Sequence, residues 1–169
     1  MVRETPPIET FREFFAYDPE TGIVIWRVGR HAGKRVGYVN DRGRLIVYFK
    51  GKHYIMARII VLLMTGCWPF DEVDHRDRNK LNDKWQNLRD ATRSQNGANR
   101  IFRSTQSGIK GVCVTGKKWH GQATFNKKRF NFPTRDTPEE AEQDYINFAM
   151  ERHGEFARFS SKSKENEHE

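Results

Sequence analysis

Two cysteines, Cys67 and Cys113, are all that the 169 residues contain, and no CxxC pair occurs. That excludes a disulfide framework and a zinc site built on paired thiolates, and it points to reduced thiols in a cytosolic setting. Long apolar runs are missing too. The longest, residues 59–64, falls far short of the roughly 20 residues that cross a bilayer. Residues 1–10 hold no apolar stretch of the kind a secretory leader needs. The expectation is a soluble intracellular protein. Acidic side chains are in deficit, 22 against 30 Lys and Arg, giving a net charge of +8 and a sequence pI near 9.7. The deficit is local: residues 100–135 carry nine Lys or Arg and no Asp or Glu. Aromatic and amide side chains interleave those cations, so the expected partner is a nucleic acid rather than solvent alone.

What is present reads as α+β. Thr10 and Glu13 have capping-box spacing and predict a short helix carrying Phe11, Phe14 and Phe15. Asp18-Pro19-Glu20-Thr21-Gly22 predicts a turn, followed by a strand over residues 23–27. Residues 29–43 are rich in Gly and basic residues and are expected as loop or weak hairpin. Residues 45–49 and 53–56 form the clearest hairpin. An apolar helix over 57–65 should close on Gly66 as its C-cap.

The chemistry concentrates next. Val73-Asp74-His75 is followed twelve residues after His75 by Asn87, and nine residues later by Asn96. A strand with Val73 and Asp74, a polar loop over 76–86 and a strand over 88–91 make a hairpin. Thr92 and Gln95 then cap a helix expected to reach about residue 103, with Asn96 in its first turn. Hairpin and helix form a ββα unit in which the Asp-His pair and Asn96 are expected to converge. Oxygen ligands for a hard cation beside one imidazole suit single-metal phosphodiester hydrolysis. An Asp-His dipeptide alone would be a surface turn, and an Asn in a loop commonly bonds its own backbone; the three-part spacing is what raises the catalytic reading above those. Asp77, Asn82 and Asp83 are read as loop-forming residues.

Past the polar stretch 104–108, residues 111–115, 119–126 and 128–133 predict three short strands. Thr137-Pro138-Glu139-Glu140 then predicts a helix start, with Ala141, Tyr145, Phe148, Ala149 and Arg152 along one stripe. Gly154 should end that helix. The domains are expected at 1–104 (ββα core about 71–103) and 105–159, with a disordered charged tail over 160–169.

Asp74-His75, Asn87 and Asn96 closely resemble the motif of phage-type HNH endonucleases, homing and free-standing. The likeness extends to Tyr17-Asp18-Pro19-Glu20-Thr21-Gly22, Ile25-Trp26, the Leu62-to-Gly66 helix end with Trp68-Pro69, and Asn79-Lys80-Leu81-Asn82-Asp83, covering about residues 11–100. The segment Ser107-Gly108-Ile109-Lys110-Gly111-Val112, the strands after it and Thr137 to Ala141 resemble an AP2-type DNA-binding domain, with His153 to Arg158 similar to its usual ending. The resemblance implies a ββα-metal nuclease domain with N-terminal β-hairpins, followed by a small three-stranded sheet plus helix. It implies His75 as general base, Asp74 and Asn96 as ligands of one Mg²⁺ (or Mn²⁺), and Asn87 as the brace that holds His75. One departure stands out. The family usually carries His before the Arg that opens the central helix, and here that residue is Ala57.

The expected substrate is double-stranded DNA, nicked by a monomer in the cytoplasm, that of the host cell for a phage-encoded chain. Candidate DNA contacts are Arg100, Lys110, Lys117, Lys118, Trp119, Gln122, Thr124, Lys127, Lys128 and Arg129. Gln122 and Thr124 alternate with Ala123 and Phe125, so the pair can point outward as base-edge readers. Trp119, Phe125 and Phe130 also suit the buried side of the sheet. His31, His120 and His153 have no companions at metal spacing. The competing expectations are a non-catalytic DNA-binding or regulatory protein and an RNA-binding basic protein; neither requires the ββα constellation.

Overall fold

The computed structural model describes residues 6–99, 106–157 and 159. The chain packs as two compact units, Met1–Thr92 and Arg93–Glu169. The division falls ahead of the expected boundary at 104, which lies outside the described residues, as do Arg100, the end of the helix expected to reach 103 and the charged tail.

In the first unit α1 (Ile8–Phe14) follows Pro7. Its start three residues before Phe11 corrects the reading of Thr10 as a cap: the Thr10 N–H already bonds Pro7 O at 3.1 Å, so Thr10 sits inside the first turn. Phe15 does not extend the helix either. It begins β1 (Phe15–Asp18), which pairs antiparallel with β2 (Ile23–Trp26) through the Asp18–Gly22 turn. There the Asp18 carboxylate accepts from Glu20 N–H and Thr21 Oγ1, and Gly22 adopts φ +75°.

Three strands follow, β3 (Tyr38–Val39), β4 (Leu45–Phe49) and β5 (Lys52–Ile55), joined in chain order as an antiparallel sheet. Alternation buries Leu45, Val47 and Phe49 on one face. These meet α2 (Met56–Thr65), whose Met56, Ile59, Ile60 and Leu62 are buried and whose end is closed by left-handed Gly66. Phe11 organises an aromatic core, with Phe49 and Tyr54 rings both at 5.4 Å and Trp68 at 5.5 Å. The Arg58 guanidinium donates to the carbonyls of Asp71 and Pro69, tying α2 to the entry of β6 (Glu72–His75). β6 pairs antiparallel with β7 (Leu88–Ala91), and Val73 and Leu88 join the core.

The second unit holds α3 (Arg93–Ala98) and a sheet of order β10-β9-β8, from β8 (Val112–Thr115), β9 (Lys118–Phe125) and β10 (Lys128–Arg135). The Asn126-Lys127 turn has φ 49° and 64°, the two positive values a tight hairpin favours. Pro133 interrupts β10, an edge strand, where the ladder shifts register between Asn131 and Thr134. α4 (Pro138–His153) opens with the full Thr137/Glu140 capping box and packs on one sheet face. Gly121 makes the close approach possible: a Cβ there would lie 2.7 Å from Ala141 O. Among the described residues no helix is long and apolar enough to cross a membrane.

Candidate active site

The β6–β7 hairpin carries Asp74, His75 and Asn87, three of the polar residues that the sequence singled out, and it carries them buried. Asp74 stands opposite Arg89 in the ladder, and Arg89 Nε and a terminal guanidinium nitrogen bond Asp74 Oδ2 at 2.9 and 2.8 Å. His75, one residue on, places Nε2 2.9 Å from Asp83 Oδ1. Asp74, His75, Asp83, Asn87 and Arg89 are all buried. The burial is paid with partners, as it must be for charged groups.

Asn87 closes the loop between the strands. Its Nδ2 donates to Asp77 Oδ1 and to Asn82 O, while its Oδ1 accepts from the Asp77 N–H. Its carbonyl accepts from Arg76 N–H, so main chain and side chain hold opposite ends of the loop. Asp77 also accepts from Asn82 Nδ2 and Asn79 N–H. Burial alone would raise the Asp77 carboxyl; the hydrogen bonds from Asn82, Asn87 and Asn79, with His75 nearby, outweigh it and hold the carboxyl below its ordinary value.

Asn96 lies on α3, half-buried, in the second unit. Among the described residues no three His, Cys, Asp or Glu side chains gather as a metal cluster. The sequence-derived ligand set is one carboxylate and one amide, hard oxygen donors that suit Mg²⁺ in kind. Ala57, at the position where the resembled family has His, is buried. It borders a cavity of about 440 Å³ lined by Asn40, Arg42, Arg44, Asp71 and Glu72.

Two participants escaped the sequence reading. The motif spacing gives Arg89 no role, and the local sequence makes Asp83 a loop former. The register that sets Arg89 against Asp74 was the usable signal for the first. Nothing local marked the second.

In the second unit β9 alternates as expected. Gly121 faces α4, Ala123 lines a cavity of about 610 Å³ with Tyr145 and Phe148, and Phe125 packs edge-on against His153. Gln122 and Thr124 therefore point to the opposite, open face, where Gln122 Nε2 donates to Asn131 Oδ1 and Arg129 pairs with Thr124. Lys117, Lys127, Lys128 and Arg129 are exposed, and Lys118 forms a surface ion pair with Asp136 at 3.0 Å. Trp119 shares the parity of Gly121, which puts it on the α4 side, away from Gln122 and Thr124. Lys110 is turned inward, donating to Ala98 O at 2.8 Å. Burial first, and Lys110 second, hold the His153 imidazole below its usual value.

Residues 54–98, which span this hairpin with α2 ahead of it, match the HNH endonuclease family. This segment is an HNH endonuclease domain. An uncharacterized HNH endonuclease, L560, of Acanthamoeba polyphaga mimivirus is 34% identical over 123 residues, covering 71% of this chain. The chain spans 64% of that relative's length. Protein 3.8 of Escherichia phage T7 is 39% identical over 90 residues, 52% of this chain and 74% of the phage protein. Among solved structures, one on DNA binding and cleavage by the HNH homing endonuclease I-HmuI aligns with 89% of this chain and 91% of its own, at TM-score 0.44 and 18% identity. The matched HNH segment contains Asp74, His75, Asn87 and Asn96.

Proposed function

We propose that the chain hydrolyses phosphodiester bonds in double-stranded DNA by a one-metal mechanism, nicking one strand at a time as a cytoplasmic monomer. The observation that carries this reading is the hairpin itself. Adjacent Asp74 and His75 end one strand, and Asn87 closes the loop that follows. His75 takes the proton from the water that attacks phosphorus, as an imidazole acting as general base can. Asn87 holds the loop that sets the imidazole-bearing strand end, and so fixes the base. Asp74 and Asn96 would hold the ion. When bound, Mg²⁺ or Mn²⁺ polarises the phosphoryl group and offsets charge on the departing 3′ oxygen. The second unit, in this reading an AP2-like DNA-binding domain, delivers the nuclease. Gln122 and Thr124 read base edges, while Lys117, Lys127, Lys128 and Arg129 meet phosphates.

A non-catalytic DNA-binding protein is the second reading, favoured by the Asp74–Arg89 pair, in which a guanidinium already neutralises the carboxylate meant for the ion. Supercoiled plasmid incubated with purified protein and Mg²⁺ separates the two. Open-circular product that vanishes with EDTA supports the nuclease, and binding without cutting supports the alternative.

A further inference from the structure

His75 and Asp83 sit at opposite ends of one loop, yet their side chains meet at 2.9 Å with 6% and 2% of their surface exposed. A carboxylate oxygen accepts, so the contact favours the neutral tautomer with its hydrogen on Nε2, in which Nδ1, with its lone pair, is the proton-accepting nitrogen. For a general base the tautomer and the ring orientation decide whether that lone pair meets water.

The backbone of Asp83 is fixed from a distant part of the chain. Tyr17 Oη donates to Asp83 O at 2.8 Å across 66 residues. Trp85 N–H bonds Pro19 O at 3.1 Å. Gly22 presses so close that a Cβ would lie 2.6 Å from both Asp83 C and Lys84 N. The turn is rigid in itself, because Gly22 N–H bonds Asp18 O at 2.9 Å and the Asp18 carboxylate takes the Thr21 hydroxyl at 2.7 Å. Tyr17 and the Asp18–Gly22 turn thus form a brace for the segment that bears Asp83. Asp83 itself is poorly satisfied: Oδ2 is buried with no hydrogen-bond partner among the described residues. A half-satisfied buried carboxylate costs stability that an apolar side chain would not. Its contact with His75 is the one return visible for that cost.

We propose that Asp83 is the positioning residue for His75, fixing its Nε2–H tautomer, and that Tyr17 and the Asp18–Gly22 turn serve to hold Asp83 in place. The catalytic half of this rests on the nuclease reading above.

The full-length protein with ¹⁵N-labelled histidine tests the tautomer directly, at a pH where the imidazole is neutral. Wild type should show His75 protonated at Nε2, and Asp83→Ala should show a mixture. A wild-type Nδ1–H form, or an unchanged tautomer in Asp83→Ala, overturns the proposal whether or not the protein cuts. In plasmid nicking, Asp83→Ala should lower turnover by about 10–100-fold with the half-saturating plasmid concentration changed by less than about two-fold. Asp83→Asn, whose Oδ1 can accept the same hydrogen bond, should recover most of that loss. Tyr17→Phe, which retains the ring, should lower turnover by a few-fold in the same pattern. Wild-type turnover in Asp83→Ala, or an equal loss of turnover and DNA affinity, overturns the positioning role. Absence of cutting by the wild type overturns the nuclease reading instead and leaves the tautomer measurement to judge the contact.

Discussion

Asp74 and Arg89 face each other across the β6–β7 ladder, with two guanidinium nitrogens converging on a single carboxylate oxygen at 2.8 and 2.9 Å. Both side chains are at most 5% exposed. Breaking a buried ion pair by removing one partner costs about 3–5 kcal/mol. Arg89→Ala should therefore lose stability of that order in urea unfolding. A change below about 1 kcal/mol, the range of exposed pairs, would mean that water replaces the guanidinium and that the pair contributes little to the hairpin.

His75→Ala should abolish nicking while DNA affinity stays within a few-fold, because it deletes the proposed base and no proposed phosphate contact. Asp74→Ala should differ in kind, regaining part of its activity at raised Mg²⁺ or Mn²⁺. Wild-type cutting by His75→Ala, measured as open-circular plasmid over time, would remove the proposed base from the mechanism.

Asp77 supplies a pH dependence with a definite sign. Its carboxyl is held below the ordinary 3.8 in the folded loop, despite burial, by bonds from Asn82, Asn87 and Asn79. A depressed carboxyl stabilises the fold at every pH above its unfolded value, and that contribution fades as pH falls through the lower folded value. The loop should therefore hold down to about pH 4 and loosen below it. Asn87→Ala deletes one of the bonds to the carboxylate, so the Asp77 titration followed by NMR should move upward. An unmoved titration would show that Asn87 does not hold Asp77 in solution.

His153 acts at higher pH than Asp77. Burial and Lys110 keep its imidazole below the ordinary 6.5, so below that pH the unfolded chain takes up a proton more readily than the folded one. Stability should fall as pH drops from 6.5 through the folded value, and level off below it. His153→Gln should flatten that part of the thermal-unfolding profile. A profile unchanged by the substitution would assign the slope to other groups.

The elements foreseen from sequence are those with local signals. Gly66 closes α2, the Thr137 capping box opens α4, and the Asp18–Gly22 turn forms where Pro and Gly require it. Thr10 misled because Pro7, not a hydroxyl, starts α1. β1 was missed because three phenylalanines at helical spacing looked continuous, while the core requires Phe15 to pair with Trp26. The spacing singles out Asp74, His75 and Asn87, and the structure sets all three in one hairpin. Arg89 follows from the hairpin register that sets it opposite Asp74, whereas the meaning of Asp83 lies in contacts 8 and 66 residues away along the chain, which no local pattern encodes.

Gly121 tests how tightly α4 sits on its sheet. An added methyl would meet Ala141 O and the Phe132 ring, each at 2.7 Å. Backbone cannot rotate aside as a side chain can, so Gly121→Ala should cost about 1–3 kcal/mol by overpacking. Thermal unfolding of the variant at wild-type transition temperature would mean that the helix shifts without penalty.

The open sheet face predicts how DNA affinity responds to salt. Each phosphate neutralised by a cation contributes a slope of about −0.9 in log K against log salt, and the whole chain should show roughly four to eight such contacts. Arg129 and Lys117 are exposed, on an open-face position and a turn. Replacing both with Ala should make the slope shallower by about 1.8, equally on every DNA sequence. Gln122→Ala should behave differently. It removes an amide from the open face and leaves the slope alone, loosening preference among sites by about 1–3 kcal/mol. Fluorescence anisotropy over a salt series separates the two effects. An unchanged slope in the double variant would show that this face does not grip DNA, and the nuclease would then have to find its substrate through the first unit.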